Sequence, residues 1–378
     1  MSTPICSTGA SNMHLALNVT DIGRQRGGNE SYLLGLIDGL RSLPTDDDRF
    51  SLIACRAGMK DLLVVAPPDR FRLIDTGPYR RWPSYLWQQT RVVRELRADW
   101  YLSTFLLPPV VPCRAAVLIH DLSFRAHPDY FPAAIALYMR VLVGLAVRRA
   151  DVVVALSEFT RRELQRFYPG AVRKTVVVYP GIDRAFNAAV GGGDDLARQA
   201  YGIARPYILA VGNIHPRKNL ARLLAAYERL RTTHTDAPIM VWAGVERWGS
   251  DELIGRARAA GVQLIGRVQA AHLPALYRGA QALVYPSLYE GFGLPPVEAL
   301  ACGTPVIAGN TTALPEAVGD AAITVDPLSV DQLASAIEQV AFDANLRAVL
   351  RERGLRQAAR FDWATSAAQL LAALRRAL

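Results

Sequence analysis

Short apolar runs of three to six residues, each closed by a turn residue, recur along this chain in two rounds with helical patterns between them. In the first round His14 to Val19, Phe50 to Cys55, Ala116 to Ile119, Asp151 to Leu156 and Val176 to Tyr179 read as strands, with helical patterns at Glu30 to Leu40 and Tyr85 to Leu96. The second gives Tyr207 to Val211, Ile239 to Ala243, Gln263 to Ile265, Ala282 to Tyr285 and Pro305 to Ala308, with a helix at Leu220 to Arg231. Runs that are apolar throughout suit strands covered by helices on both faces, and their alternation with helices argues for parallel β-α-β units.

Between the rounds, Gly191-Gly192-Gly193-Asp194-Asp195 breaks the pattern and reads as a linker or hinge. The chain has 378 residues, above the roughly 250–300 at which a single core stops growing. Two α/β domains are therefore expected, 1–190 and 191–361, each doubly wound and facing the other across a cleft. After Ser329 two helical stretches are predicted; the last, Asp362 to Leu378, sets Trp363, Leu370, Leu371, Leu374 and Leu378 on one face. Ligands of such sheets bind beyond the carboxyl ends of the strands, which directs attention to the loops that follow them.

Several function classes drop out early. The longest apolar stretch, Pro132 to Val147, carries Arg140 and ends in Arg148-Arg149, so it reads as a buried helix rather than a membrane span. The first 23 residues contain no Lys or Arg and no continuous apolar core, so a secretory signal is not expected. Cys6, Cys55, Cys113 and Cys302 are scattered without a C-x-x-C pair, which suits reduced thiols in the cytoplasm. The Gly-Lys-Ser/Thr of a P-loop and the G-x-G-x-x-G of a dinucleotide site are both missing.

Charge narrows the search. Net charge is +9, and residues 1–190 hold 24 Lys+Arg against 17 Asp+Glu, so most of the surplus lies in the first half. Of 43 basic residues only Lys60, Lys174 and Lys218 are lysine. The first two read as surface charges; Lys218 stands out by its neighbours.

Four segments carry chemistry. In the first, ALVYPSLYEGFGLPPVEALACGTPVIA, a strand ends at Tyr285 and a loop holds Glu290-Gly291-Phe292-Gly293-Leu294. Pro295-Pro296 then opens a helix that stops near Gly303, with Glu298 expected in its first turn. The glycines admit close backbone approach, the helix start favours a phosphate, and either glutamate suits a polyol. The bland alternative is that Glu298 only complements the helix dipole. In the second, ILAVGNIHPRKNLARLL, Gly212 follows a strand, Arg217 and Lys218 stand in the loop, and Asn219 is placed to cap the next helix. A cation pair at a helix start opposes the dipole unless an anion sits there. The third, VLIHDLSF, delivers His120 and Asp121 to a strand end, for hydrogen bonding or proton transfer, although such a pair is often purely structural. The fourth, Arg26-Gly27-Gly28-Asn29-Glu30, is a glycine turn before a helix, weak evidence by itself.

Together and in this order, the segments resemble the GT-B retaining glycosyltransferases of glycosyltransferase family 4, especially bacterial mannosyltransferases. The resemblance covers nearly the whole chain and is carried by Glu290 and Glu298, by PRKN at Pro216 to Asn219 and by HDLSF at His120 to Phe124. It implies two Rossmann-like domains, with the helix 362–378 crossing back to the N-terminal, acceptor-binding one. It places Arg217 and Lys218 on the diphosphate, Glu298 on the ribose and Glu290 beside the transferred sugar, with Gly291, Phe292, Gly293 and Leu294 lining the donor. Gly27 and Gly28 fall near the diphosphate, His120 at the reaction centre and Val268 in a loop that reads the base. Asn213 stands where many members carry arginine, which shifts more of the diphosphate charge onto Arg217 and Lys218.

Breaking a glycosyl phosphate with retention develops charge on the diphosphate, which the two cations and the helix start are suited to stabilise. No metal or other cofactor is expected: Asp46-Asp47-Asp48 contains an Asp-x-Asp, but it precedes a strand and reads as a solvated loop. Front-face attack and a transient covalent intermediate both remain open. The expected partners are a nucleotide-diphosphate sugar, GDP-mannose in first place, and a saccharide or lipid-linked acceptor of cell-surface glycan synthesis; nucleic acid is not expected. The Arg- and Trp-rich stretch Tyr79 to Trp87 suggests peripheral contact with an anionic membrane, or else core aromatics. The competing reading is a catalytically silent sugar-nucleotide-binding or scaffold protein of the same fold.

Overall fold

The computed structural model describes residues 12–24, 28–44, 48–203, 206–245 and 251–378. The first sheet is built from β1 (His14–Asn18), β2 (Arg49–Ala54), β3 (Phe71–Asp75), β4 (Trp100–Thr104), β5 (Arg114–Ile119), β6 (Val152–Ala155) and β7 (Thr175–Val177). Its strand order is β3-β2-β1-β4-β5-β6-β7 and every pairing is parallel. The second sheet holds β8 (Tyr207–Val211), β9 (Ile239–Ala243), β10 (Gln263–Gly266), β11 (Ala282–Tyr285), β12 (Val306–Gly309) and β13 (Ile323–Val325), in the order β10-β9-β8-β11-β12-β13 and again all parallel. Each is the doubly wound pattern. Strand order reverses beside β1 and β4 in one sheet and beside β8 and β11 in the other, the positions where such sheets bind ligands.

The central strands are buried end to end, as in Val152–Ala155 and Ala282–Tyr285, because helices cover both faces. Three strands lie outside the sequence reading. β3 is an edge strand with mixed burial, β4 reads Trp-Tyr-Leu-Ser-Thr, and β13 is only three residues long.

The chain crosses between the sheets twice, and the two crossings touch: the Ile182 N–H donates to the Phe361 carbonyl at 3.2 Å. Three helices, not two, follow Ser329, because Asp343 ends Val330–Phe342 and caps Ala344–Ala358 through the Leu346 N–H. The closing helix, Trp363–Arg376, is capped by Asp362 and packs on Gly28–Ser42 of the first domain. Gly39 explains how closely: a Cβ there would lie 2.2 Å from the Trp363 carbonyl oxygen. Trp363, Leu370, Leu371 and Leu374 are buried as expected, while Leu378 is exposed beyond the helix end.

Two further expectations are corrected. Asp48 is not solvated: its buried carboxylate accepts the Met13 N–H at 3.1 Å and pairs with Arg375 of the closing helix. Asp46 and Asp47 lie outside the described residues. The helix Ala133–Arg149 is buried on one face only: Val143, Ala146 and Val147 are buried, while Leu137, Val141 and Leu145 are 61%, 50% and 44% exposed, one turn apart on the other face.

Candidate active site

The site assembles from loops at the carboxyl ends of β5, β8 and β11. After β8 the chain forms a single 3₁₀ turn, Pro216–Lys218, pinned where the Arg217 N–H donates to His215 Nδ1 at 3.2 Å. Asn219 does not cap the next helix as expected. It adopts φ 59°, in the left-handed region that asparagine tolerates, and its side-chain amide donates to the carbonyls of Pro286 and Pro327. Those bonds, with the Leu288 N–H donating to the Arg217 carbonyl at 2.8 Å, tie the cation loop to the glutamate loop after β11.

Residues 72 positions apart thereby meet: Lys218 Nζ lies 2.6 Å from Glu290 Oε1 and bonds the Tyr285 hydroxyl, which also donates to Glu290 at 3.1 Å. Arg217 lies 3.2 Å from Asp121 and 4.0 Å from the second oxygen of Glu290. Burial disfavours the Glu290 carboxylate, but Lys218 and Arg217 outweigh it and hold the group down at about 2. Burial likewise opposes the Arg217 charge, and Glu290 and Asp121 overcome it and keep the guanidinium protonated. For Lys218 burial wins, so its ammonium titrates below the usual lysine range despite Glu290. Two cations are here paired with two carboxylates, so any anion bound by Arg217 and Lys218 competes with Asp121 and Glu290.

Glu298 sits in a different environment. The helix Leu294–Ala301 starts at Gly293, which places Glu298 in the second turn rather than the first, too far along to serve the helix dipole. Its carboxylate accepts the buried Tyr277 hydroxyl at 3.1 Å, and burial pushes it up to about 7, an effect the Tyr277 bond only partly offsets. A half-buried glutamate whose carboxylate has one hydroxyl partner among the described residues has capacity left for further donors.

His120 follows β5 from the other domain. Its ring stacks on Phe105 and meets the edge of Tyr32, burial lowers it to about 4, and Nε2 is buried without a partner among the described residues. The imidazole is therefore neutral near pH 7 and offers a hydrogen bond rather than an acid. The adjacent Asp121 is turned away from it, accepting from the Ser123 N–H and hydroxyl and pairing with Arg217. Gly291 closes the two domains onto each other: a Cβ there would lie 1.8 Å from the His120 carbonyl oxygen, so no larger residue allows this approach.

Of the other expected residues, Gly293 (φ 103°) sets the start of the helix and Leu294 is its first residue. The Phe292 ring is buried against Tyr179 and Phe361 at the chain crossings, so only its backbone faces the loop. Asn213 is exposed after β8, Val268 is half-buried after β10, and Gly28 opens the first helix with free space beside it. Gly27 lies outside the described residues. Sequence reasoning missed Tyr285 and Tyr277, whose only signal was a polar atom at the end of an apolar strand or helix.

Residues 26–186 match Glycosyltransferase Family 4, and residues 195–357 match Glycosyl transferases group 1. O-antigen chain mannosyltransferase B of Escherichia coli is 33% identical over 273 residues, spanning 68% of this chain and 69% of that protein. The chain is a group 1 glycosyltransferase. The glycosyltransferase is also 30% identical over 280 residues to the serotype-specific mannosyltransferase WbdA of E. coli, covering 68% of this chain but 33% of that longer protein. Its fold is that of sucrose-phosphate synthase from Thermosynechococcus elongatus (TM-score 0.76, 20% identity, 97% and 99% of the two chains). Anabaena HepE in complex with UDP and glucose gives a TM-score of 0.74 at 20% identity over 96% and 99%. The GT-B arrangement of two parallel-sheet domains is thus shared with these structures.

Proposed function

We propose that this glycosyltransferase moves mannose from GDP-mannose, with retention, to a saccharide or lipid-linked acceptor of cell-surface glycan synthesis at the inner face of the membrane. The observation that carries the reading is the pair Arg217 and Lys218, held beside Glu290 at the switch point of the second sheet, with Arg217 paired to Asp121 of the first domain. On this reading the donor diphosphate draws the two cations from their carboxylates, and Glu298 receives the ribose hydroxyls. The backbone of Gly291 to Leu294 lines the sugar, and Gly27 and Gly28 approach the diphosphate. Asn213 flanks the diphosphate and Val268 the base. The bond from C1 to the diphosphate oxygen breaks, the bond from C1 to the acceptor oxygen forms on the same face, and the acceptor proton passes to the departing phosphate. The developing negative charge is met by Arg217 and Lys218, so the step needs no metal. Mannose is favoured because the E. coli relatives are mannosyltransferases.

The acceptor side is read from a surface. The exposed stripe Leu137, Val141 and Leu145 runs beside Trp82, 51% exposed, whose ring meets Tyr138 at 6.1 Å. Residues 77–94 and 132–150 contain seven arginines and no carboxylate, which suits an anionic lipid surface. No described helix is long and apolar enough to cross a membrane, so this contact would be peripheral.

Thermal-shift measurements against GDP-, UDP- and ADP-sugars test the donor, since a ligand of the folded state raises Tm by mass action. GDP-mannose is expected to give the largest shift and, with acceptor, to release GDP; a larger shift with another base rejects the donor. Donor binding without release across varied acceptors supports the catalytically silent alternative. Co-sedimentation with phosphatidylglycerol vesicles, and its loss on combining Leu137→Ser with Val141→Ser, tests the surface.

A further inference from the structure

One carboxylate outside the donor site bridges the two domains. Glu316 stands on the short helix Leu314–Val318 of the second domain. Its Oε1 accepts the Glu158 N–H at 2.6 Å and its Oε2 accepts the Phe159 N–H at 3.1 Å, both at the start of the helix Glu158–Phe167 in the first domain. The next amide, Thr160 N–H, is taken by the side chain of Ser157 at 3.0 Å. A helix leaves its first amides without intrahelical partners; here one is satisfied from within the domain and two from across the interface. The Tyr179 hydroxyl, on the first chain crossing, also donates to Glu316.

The same helix start holds the donor loop. The hydroxyls of Ser157 and Thr160 donate to the Gly291 carbonyl at 2.6 and 3.1 Å. Tyr179 in turn contacts Phe292 of that loop and Phe361 of the second crossing, with ring centroids 6.1 Å apart in each case. Separating the domains would strip Glu158 N–H, Phe159 N–H and Tyr179 Oη of one shared partner while pulling Gly291 from His120. Charge-assisted bonds from a carboxylate to helix amides are among the stronger polar contacts, and the helix dipole favours this placement.

We propose that Glu316 is a positioning residue for transfer. By capping the Glu158–Phe167 helix from the opposite domain, it holds the cleft closed, so that the Glu290–Gly293 loop meets His120. It touches neither donor nor reacting atoms; it sets how much of the protein is in the state that does.

The inference rests on the proposed transfer reaction for its kinetic readout only, because domain closure is measurable without any substrate. Glu316→Ala and Tyr179→Phe are compared with the parent by small-angle X-ray scattering, by hydrogen exchange of peptides covering 156–163 and 286–294, and by kcat/KM with GDP-mannose. Glu316→Ala is expected to enlarge the radius of gyration and to speed exchange in both peptides. It should also cut kcat/KM by about ten- to a hundredfold, the equivalent of one or two charged hydrogen bonds. Tyr179→Phe, which removes one hydroxyl and no packing, is expected to move the same readouts in the same direction by less. Faster exchange confined to 156–163, with scattering unchanged, would reduce Glu316 to a local cap and overturn the proposal. If Glu316→Ala does not fold, the same pattern in Tyr179→Phe decides the matter. Parent protein without transfer activity refutes the proposed function and leaves scattering and exchange to judge the closure.

Discussion

Donor binding should be linked to the ionisation of Glu298, and the size of the effect follows from its surroundings. Burial raises this carboxyl from 4.5 to about 7, so ionising it in place costs about 3 kcal/mol more than in water. Ribose hydroxyls would donate to the ionised form, so the donor selects carboxylate over acid. Affinity should then rise about tenfold per pH unit below 7 and level off above it. Between pH 5.5 and pH 8 the gain is about thirtyfold, or about 2 kcal/mol. The nucleotide-sugar diphosphate diester has no group titrating in this window, and His120, at about 4, is already neutral there. Calorimetric titration with GDP-mannose from pH 5.5 to 8.5, in buffers of different ionisation enthalpy, is expected to show release of about half a proton at pH 7. Glu298→Gln should bind more weakly with a much flatter profile. A pH-independent parent affinity, or an unchanged slope in Glu298→Gln, would refute the reasoning. Without donor the linkage runs the other way. Between pH 4.5 and about 7 the unfolded chain ionises this group while the folded one keeps its proton, so stability falls as pH rises through that window.

Other outcomes follow from the same geometry. Lys218→Ala removes the ammonium proposed to meet the leaving diphosphate and strands Glu290 without its 2.6 Å partner; turnover in a GDP-release assay is expected to fall by at least about a hundredfold. Lys60→Ala should stay within about twofold of the parent in the same assay. Gly39→Ala forces a methyl to within 2.2 Å of the Trp363 carbonyl and should prise the closing helix from the first domain. A loss of about 2 kcal/mol or more in urea unfolding is expected, and an unchanged midpoint would contradict that packing.

The parts of the fold legible in sequence were those where local composition and tertiary role coincide. Val152–Ala155 and Ala282–Tyr285 are apolar throughout because both faces are covered, and they read directly as strands. β3 and β13 are edge strands, where one flank is free and the pattern has less to enforce it. The helix Ala133–Arg149 differs for another reason: apolar composition cannot say which face finds a partner, and here Leu137, Val141 and Leu145 stay exposed among the described residues. Asn219 and Asp48 carried the right residue types for a cap and a solvated loop. Each was instead taken by a distant partner, the carbonyls of Pro286 and Pro327 in one case and Arg375 in the other.

The two glutamates show how far a motif can reach. With seven residues between them, Glu290 and Glu298 are assigned to one site by the loop-helix pattern around them and by the family resemblance, and the structure places one on the loop and the other on the helix that the loop starts. Spacing carries no information about their charge, because that is fixed by elements far away in the chain. Lys218 and Arg217 hold Glu290 ionised at about 2, whereas Glu298 faces the Tyr277 hydroxyl and stays near 7. The same residue type therefore sits in opposite electrostatic environments eight positions apart in the chain. One glutamate is an ionised counter-ion to the two cations. The other keeps its proton up to about pH 7. Exchanging the two environments, not the two residues, is what would destroy the site, and for that reason the tyrosines and the cation loop deserve mutation as much as the glutamates themselves.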